Sequence, residues 1–212
     1  MCASYELITR FSELPFILKK NLPSGLEQKY ERQELIKPAE PVLVVKNEGR
    51  ISTSFMLWGF ISEWVKDPFD NEIPRPFNAR AETVGEKKIF RGSWRYKRCL
   101  MPASGFFEKG HRISRKDEKT FWLGGIWNRW ISNEGSEIES CCVLTIEPSD
   151  LIKPLHNRMP AIIPNGLEKE WLLSVKDNLE LRELKSMLGG CCSEEWKAEP
   201  IKKSPTFQMS LF

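Results

Sequence analysis

The sequence predicts an α+β fold: a single domain built on a curled, partly closed antiparallel β-sheet or barrel, with short flanking helices. Three observations lead there. Short strand-type runs recur along the chain, notably Val42–Val45, Ile51–Phe60, Arg98–Glu108, 120–131 and Ser140–Glu147, and turn residues bound them. Helical periodicity is confined to brief stretches limited by Pro or Gly. No internal repeat appears, and no linker is visible before about residue 203, so 1–203 reads as one domain and 204–212 as an exposed tail.

Residues 9–20 have near-helical spacing, but Pro15 limits them to a short or broken helix. Residues 21–40 read as surface connection. Asn47-Glu48-Gly49 is turn material that joins the first two strand runs into a hairpin. Residues 64–76 hold three prolines and read as loop. A short helix is expected around Gly85–Phe90. The Pro-Ala-Ser-Gly segment at 102–105 breaks the next strand and delivers Phe106-Phe107-Glu108, and a basic loop follows. Met159–Pro164 is a further short strand, Leu167–Leu173 and Leu179–Leu188 are helical with Gly189-Gly190 as a stop, and 196–201 is a last strand.

Composition narrows the setting. Hydrophobic residues make up 41% and charged residues 29%, and the net charge is +3, values of an ordinary globular domain. No apolar run approaches a membrane span and no signal-peptide pattern is present, so a cytoplasmic location with mostly reduced cysteines is expected. Cys141-Cys142 and Cys191-Cys192 are adjacent pairs, whereas zinc sites space their thiolates two to four residues apart. Buried free thiols are expected for Cys99 and one member of each pair, with no metal and no cofactor.

The chemistry is concentrated at the amino end. Removal of Met1 leaves Cys2 with an α-amine and a thiol on one carbon skeleton. The amine attacks an aldehyde to give a Schiff base, and the neighbouring thiol can close a five-membered thiazolidine. Imine formation expels water and needs a proton shuttle. His156 sits where a turn can present it, whereas His111 lies in a basic run. Glu108 follows two phenylalanines, whose apolar surroundings favour an acid/base role. In Asn78-Ala79-Arg80-Ala81, alternation puts Asn78 and Arg80 on one face, an amide and a guanidinium suited to a carbonyl and a phosphate.

Cys2 behind the initiator Met, Asn78-Ala-Arg80-Ala-Glu82, Gly105-Phe-Phe-Glu108 and His156-Asn-Arg158-Met-Pro160 occur in the order and spacing of the SOS-response-associated peptidase (SRAP) family, which the chain resembles from residue 2 to about 203. Trp58-Gly59 and Glu170-Trp171 fit as well. The resemblance implies a factor that senses abasic sites in single-stranded DNA and caps them through a Cys2 thiazolidine. It implies that Asn78 orients Cys2 and the sugar, that Glu108 transfers protons, and that His156 assists ring opening. Arg80 and Arg158 would contact phosphates, and the peptidase label implies self-catalysed loss of Met1. Three departures remove expected DNA contacts: Met1-Cys2-Ala3-Ser4 lacks the family's arginine, Leu35-Ile36-Lys37-Pro38 replaces Asn-x-Ala-Pro, and no Pro follows Trp58-Gly59.

Independently of that resemblance, residues 87–98 carry six Lys/Arg interleaved with Phe90, Trp94 and Tyr96, a pattern suited to phosphates and unpaired bases. Trp58 and Trp64 are alternative stacking residues; for Trp58 and Trp94 a place in the core is an equal reading. The last residues, Gln208-Met209-Ser210-Leu211-Phe212, are similar to the bacterial sliding-clamp-binding motif, with Gln208, Leu211 and Phe212 as its contacts; a tail folded back onto the core is the alternative. A monomer is expected. Two other functions stay open: a cysteine peptidase or amidohydrolase using Cys2 and His156, and a non-catalytic DNA-binding clamp adaptor.

Overall fold

The computed structural model describes residues 2–70, 72–173, 175 and 177–201. It opens with β1 (Tyr5–Leu7), entirely buried. Pro15 splits the first helical stretch into a 3-10 turn at Phe11–Glu13 and the five-residue α1 (Phe16–Lys20), because a proline N has no hydrogen to donate inside a helix. Within 21–40, expected as connection alone, lies β2 (Gln33–Ile36). Only Ile36 of it is buried, so no alternation announces it.

The predicted hairpin is β3 (Pro41–Asn47) and β4 (Ile51–Trp58), paired from Asn47 opposite Ile51 to Pro41 opposite Leu57. Gly49 takes the left-handed φ of +77° that its turn requires. After the long loop come β5 (Asn78–Arg80) and α2 (Lys88–Tyr96). The latter runs past the expected Phe90, since Phe90, Ser93 and Trp94 share a face and are buried. β6 (Arg98–Ala103) and β7 (Gly105–Glu108) are separated by Ser104 alone. The expected basic loop is instead β8 (His111–Arg115), of which only Ile113 and Ser114 are buried. β9 (Phe121–Ile131) and β10 (Glu137–Ile146) are the long strands. The Met159–Pro164 run becomes two short strands, β11 (Met159–Pro160) and β12 (Ile162–Ile163). α3 (Glu168–Leu172), α4 (Asn178–Ser186) and β13 (Trp196–Pro200) complete the chain.

β10, β4, β3, β6 and β9 pair in that order, and β9 pairs back onto β10, so five strands close into a barrel. A second sheet runs β13-β8-β7-β1-β2. The chain passes from barrel to sheet at Ser104, a buried residue whose Oγ accepts the Ile8 N–H at 3.0 Å. Pairing is antiparallel except where β10 meets β4 and β5 in parallel; the 59–77 loop carries the chain between those two partners. Trp58, Trp122, Trp127 and Trp171 fill the core, fully buried. Both Cys141 and Cys142 are buried, not one of them, because β10 has protein packed on each face. Of the second pair, Cys191 is buried and Cys192 exposed, one member as expected. No helix among the described residues is long and apolar enough to cross a membrane.

Candidate functional site

Three segments converge on Cys2. β1 is held between β2 and β7, with Tyr5 opposite Phe106 and Glu6 opposite Gly105. The Phe107 N–H donates to Ser4 O at 3.0 Å, so the pairing continues toward the amino end and brings Glu108 alongside the residues leading to Cys2. An ion pair to a buried carboxylate fastens this strand further: the half-buried Arg112 donates from Nε to Glu6 Oε1 at 2.7 Å. β5 approaches from the barrel side. Its register against β10, with Val143 opposite Asn78 and Thr145 opposite Arg80, buries Ala79 and Ala81 and turns Asn78 and Arg80 to the other face.

Asn78 Nδ2 donates to the Cys2 carbonyl at 2.9 Å. Its Oδ1 is buried without a hydrogen-bond partner among the described residues, an acceptor suited to an amine or a sugar hydroxyl. The Cys2 thiol is fully buried, and its Sγ faces Ser4 O at 3.8 Å. Burial, reinforced by the negative charge of Glu108, pushes the thiol pKa up to about 12. At neutral pH the sulfur is therefore a protonated thiol.

His156 closes a turn in which its N–H donates to Ile152 O at 2.9 Å. The Arg158 N–H lies 2.9 Å from His156 Nδ1, and the Arg158 carbonyl oxygen 3.1 Å from the same nitrogen, so the ring is held against its own turn. Arg158, expected at phosphates, is bound by both oxygens of Glu82, at 2.9 and 2.7 Å, and also donates to Thr145 O. Burial works to raise the Glu82 pKa, but the hydrogen bonds and charge of Arg158, with Lys185, hold it below the ordinary carboxylate value. Glu82 and Thr145 were not singled out as site residues from sequence; the nearest signal was Glu82 closing the Asn78-Ala-Arg80-Ala motif. Cys191 is a further neighbour, within electrostatic reach of Cys2.

The aromatic residues divide differently. Trp58 is fully buried, edge-on to Tyr5 at 5.2 Å, with its Nε1–H on Phe77 O at 2.8 Å. It has no face to offer a base, and the expectation of DNA stacking is corrected. Trp94 is likewise buried, tilted against Trp171 at 5.8 Å. Trp64 is exposed, at 62% of its surface. Arg80 is exposed and has no ion-pair partner among the described residues. Gln208, Leu211 and Phe212 lie outside the described residues. Among those residues no group of His, Cys, Asp and Glu side chains is arranged to hold a metal ion.

The family model of the SOS response associated peptidase (SRAP) matches residues 1–204. The chain belongs to the SRAP family. Among relatives, the abasic site processing protein YoqW of Bacillus subtilis is 32% identical over 184 residues, covering 81% of this chain and 80% of that one. The abasic site processing protein HMCES of Xenopus tropicalis is 28% identical over 160 residues, covering 59% of this chain and 48% of its own. A crystal structure of a Bacteroides thetaiotaomicron protein superposes with a TM-score of 0.79 at 25% identity, over 95% of this chain and 92% of that one. One from Bordetella bronchiseptica, 21% identical, shares the fold with a TM-score of 0.75 over 95% of this chain and all of its own. The SRAP match thus spans both the barrel and the second sheet.

Proposed function

We propose that this chain processes abasic sites in single-stranded DNA by covalent capture through Cys2, once Met1 is removed. The observation that carries the reading is the meeting of the Asn78 amide, bonded to the Cys2 carbonyl at 2.9 Å, and Glu108, whose charge reaches the Cys2 thiol. The α-amine attacks the C1′ aldehyde of the ring-opened deoxyribose to give a carbinolamine. Loss of water gives an imine; Sγ then adds to C1′ as its proton leaves, closing a thiazolidine. One water is released overall and no electrons are exchanged.

Glu108 takes and returns the protons, and His156 assists sugar ring opening. Asn78 orients Cys2 and the sugar, while Arg80 and Arg158 hold flanking phosphates. The capped lesion is thereby shielded from cleavage. Loss of Met1 is assigned to the same site, a peptidase-type step; the Schiff base at C1′ is the intermediate type that lyases use, and its reversal is hydrolysis, water returning to C1′ as the amine leaves. The names of the relatives support the substrate class. A protonated, buried thiol also favours the amine as first nucleophile over a Cys2–His156 peptidase, which would need a lowered thiol pKa.

One chain is assigned per lesion, in the cytoplasm at the replicating chromosome, with Gln208, Leu211 and Phe212 docking on a sliding clamp. Deleting 208–212 should abolish clamp binding and leave capture of free oligonucleotide unchanged. The central test is a denaturation-resistant, one-to-one adduct with an abasic single-stranded oligonucleotide. It should be lost in Cys2→Ala and blocked when Met1 is retained. Peptide turnover without an adduct would replace this reading with the peptidase one.

A further inference from the structure

The outer face of α2 and the loop after β4 form a surface that the chemistry at Cys2 leaves unassigned. Lys88, Arg91, Gly92, Arg95 and Tyr96 follow at helical spacing and share one face. The opposite side, with Phe90, Ser93 and Trp94, is buried. A cleft of about 340 Å³ separates this face from the loop residues Ser62–Trp64. Its two sides present Trp64 and Tyr96, exposed at 62% and 58%.

The cations are placed for a ligand. Lys88 and Arg91 line the cleft and have no ion-pair partner among the described residues. Lys97 is fixed in it by a 2.9 Å bond to Asn128 Oδ1 and by the Trp127 ring at 5.6 Å. Glu63 is the carboxylate of the cleft wall. Asp67 and Asp70, farther along the loop, accept the backbone N–H groups of Phe69 and Glu72, each at 2.8 Å. Gly92 is in mid-helix, where glycine is less stable than alanine, yet a Cβ there would meet nothing within 4 Å. Packing does not require this glycine, and its bare backbone allows close approach of a flat ring or a phosphate to the helix face.

We propose that this face is a second docking surface for single-stranded nucleic acid, with Trp64 and Tyr96 stacking on unpaired bases and Lys88 and Arg91 on the phosphates between them. An acidic protein segment would match the cations but leave two exposed aromatic faces unused, and a duplex offers no free base faces along its length. A single strand matches both. The proposal rests on the DNA reading above and adds where a strand is gripped away from the reacting sugar.

The test is fluorescence anisotropy with a labelled oligothymidylate lacking any abasic site, across a salt series. Each phosphate contacted on a single strand releases counterions that contribute roughly 0.7 to the slope of log K against log salt, so Lys88→Ala/Arg91→Ala should flatten it by about 1.4. Trp64→Ala should weaken binding roughly tenfold, and Tyr96→Ala should weaken it where Tyr96→Phe does not. Melting temperatures should stay at the wild-type value, and adduct yield at saturating abasic oligonucleotide should be unchanged. Wild-type affinity and slope in all these variants would overturn the proposal and leave an acidic protein segment as the occupant. Weakened binding in a protein that forms no abasic adduct would sink the Cys2 chemistry and leave this surface standing.

Discussion

Cys99, Cys141, Cys142 and Cys191 are buried free thiols, and they make stability sensitive to alkali. Burial pushes each pKa well above the ordinary value of 9.0; neighbouring thiols add to it for Cys99, Cys142 and Cys191. The unfolded chain therefore releases these protons near pH 9 while the folded chain keeps them. Fewer protons on the unfolded state means that stability is intact below about pH 8 and is lost as pH rises through and beyond 9. At about pH 10, one unit above the ordinary value, each thiol contributes a loss of about 1.4 kcal/mol, and the four together about 6 kcal/mol. That is comparable with the whole stability of many domains. Urea unfolding at about pH 8 and pH 10, followed by tryptophan fluorescence, measures the difference. Cys142→Ala should show a smaller drop between the two, by about 1.4 kcal/mol, whatever its stability at pH 8. Equal unfolding free energies at both pH values would refute the reasoning. So would thiolate absorbance appearing near pH 9 in the folded protein.

Trp58→Ala should cost about 3–5 kcal/mol in urea unfolding, as loss of a fully buried indole does; a loss under about 1 kcal/mol, with DNA binding impaired, would restore Trp58 to the DNA surface. Asn78→Ala leaves the Cys2 carbonyl without its amide donor, and about 1–2 kcal/mol of lost positioning should slow adduct formation roughly 5- to 30-fold; an unchanged single-turnover rate would remove Asn78 from the mechanism. Glu6→Ala strips Arg112 of its buried partner but leaves it Glu118 and Ser114, so the expected cost is about 2–3 kcal/mol, below that of a fully orphaned ion. A double-mutant cycle with Arg112→Met should return a coupling near that value, and a coupling of zero would contradict the pairing. Glu82→Gln removes the anion that engages Arg158 and should tighten single-strand binding; weaker binding would mean that Glu82 is what holds Arg158 in place for a phosphate.

The parts of the fold legible in the sequence are those stabilised by their own neighbours. The β3–β4 hairpin is written in an apolar run, a glycine turn and a second run, and the split at Pro15 follows from one missing hydrogen. β1, β2 and β8 were not legible: β1 and β2 are short and their partners lie far along the chain, Tyr5 pairing with Phe106 and with Ile36, while β8, a hairpin with β7, is mostly polar and has its second partner at Pro200. Polar β8 looked like a loop because its arginines are held by carboxylates, Arg112 by Glu6 across the sheet and by Glu118, and Arg115 by Asp117, in the turn that follows. At the candidate site, alternation at Asn78 and Arg80 was readable from residue types alone. The clamp of Glu82 on Arg158 was not, since 76 residues separate them. Trp58 shows the opposite difficulty: an indole reads the same whether it faces a base or a core, and only its complete burial against Tyr5 and Phe77 decides.

The sheet order β13-β8-β7-β1 also sets a distance. Ile201 N–H donates to Gly110 O at 2.8 Å, so the last described residue is delivered to the same hairpin that carries Glu108. Three inter-strand spacings, roughly 15 Å, then separate that exit point from the strand leading to Cys2. Anything fastened downstream of Ile201 is on a leash whose post stands roughly 15 Å from the strand that leads to Cys2. Its local concentration there is governed by tether length far more than by its abundance in the cell.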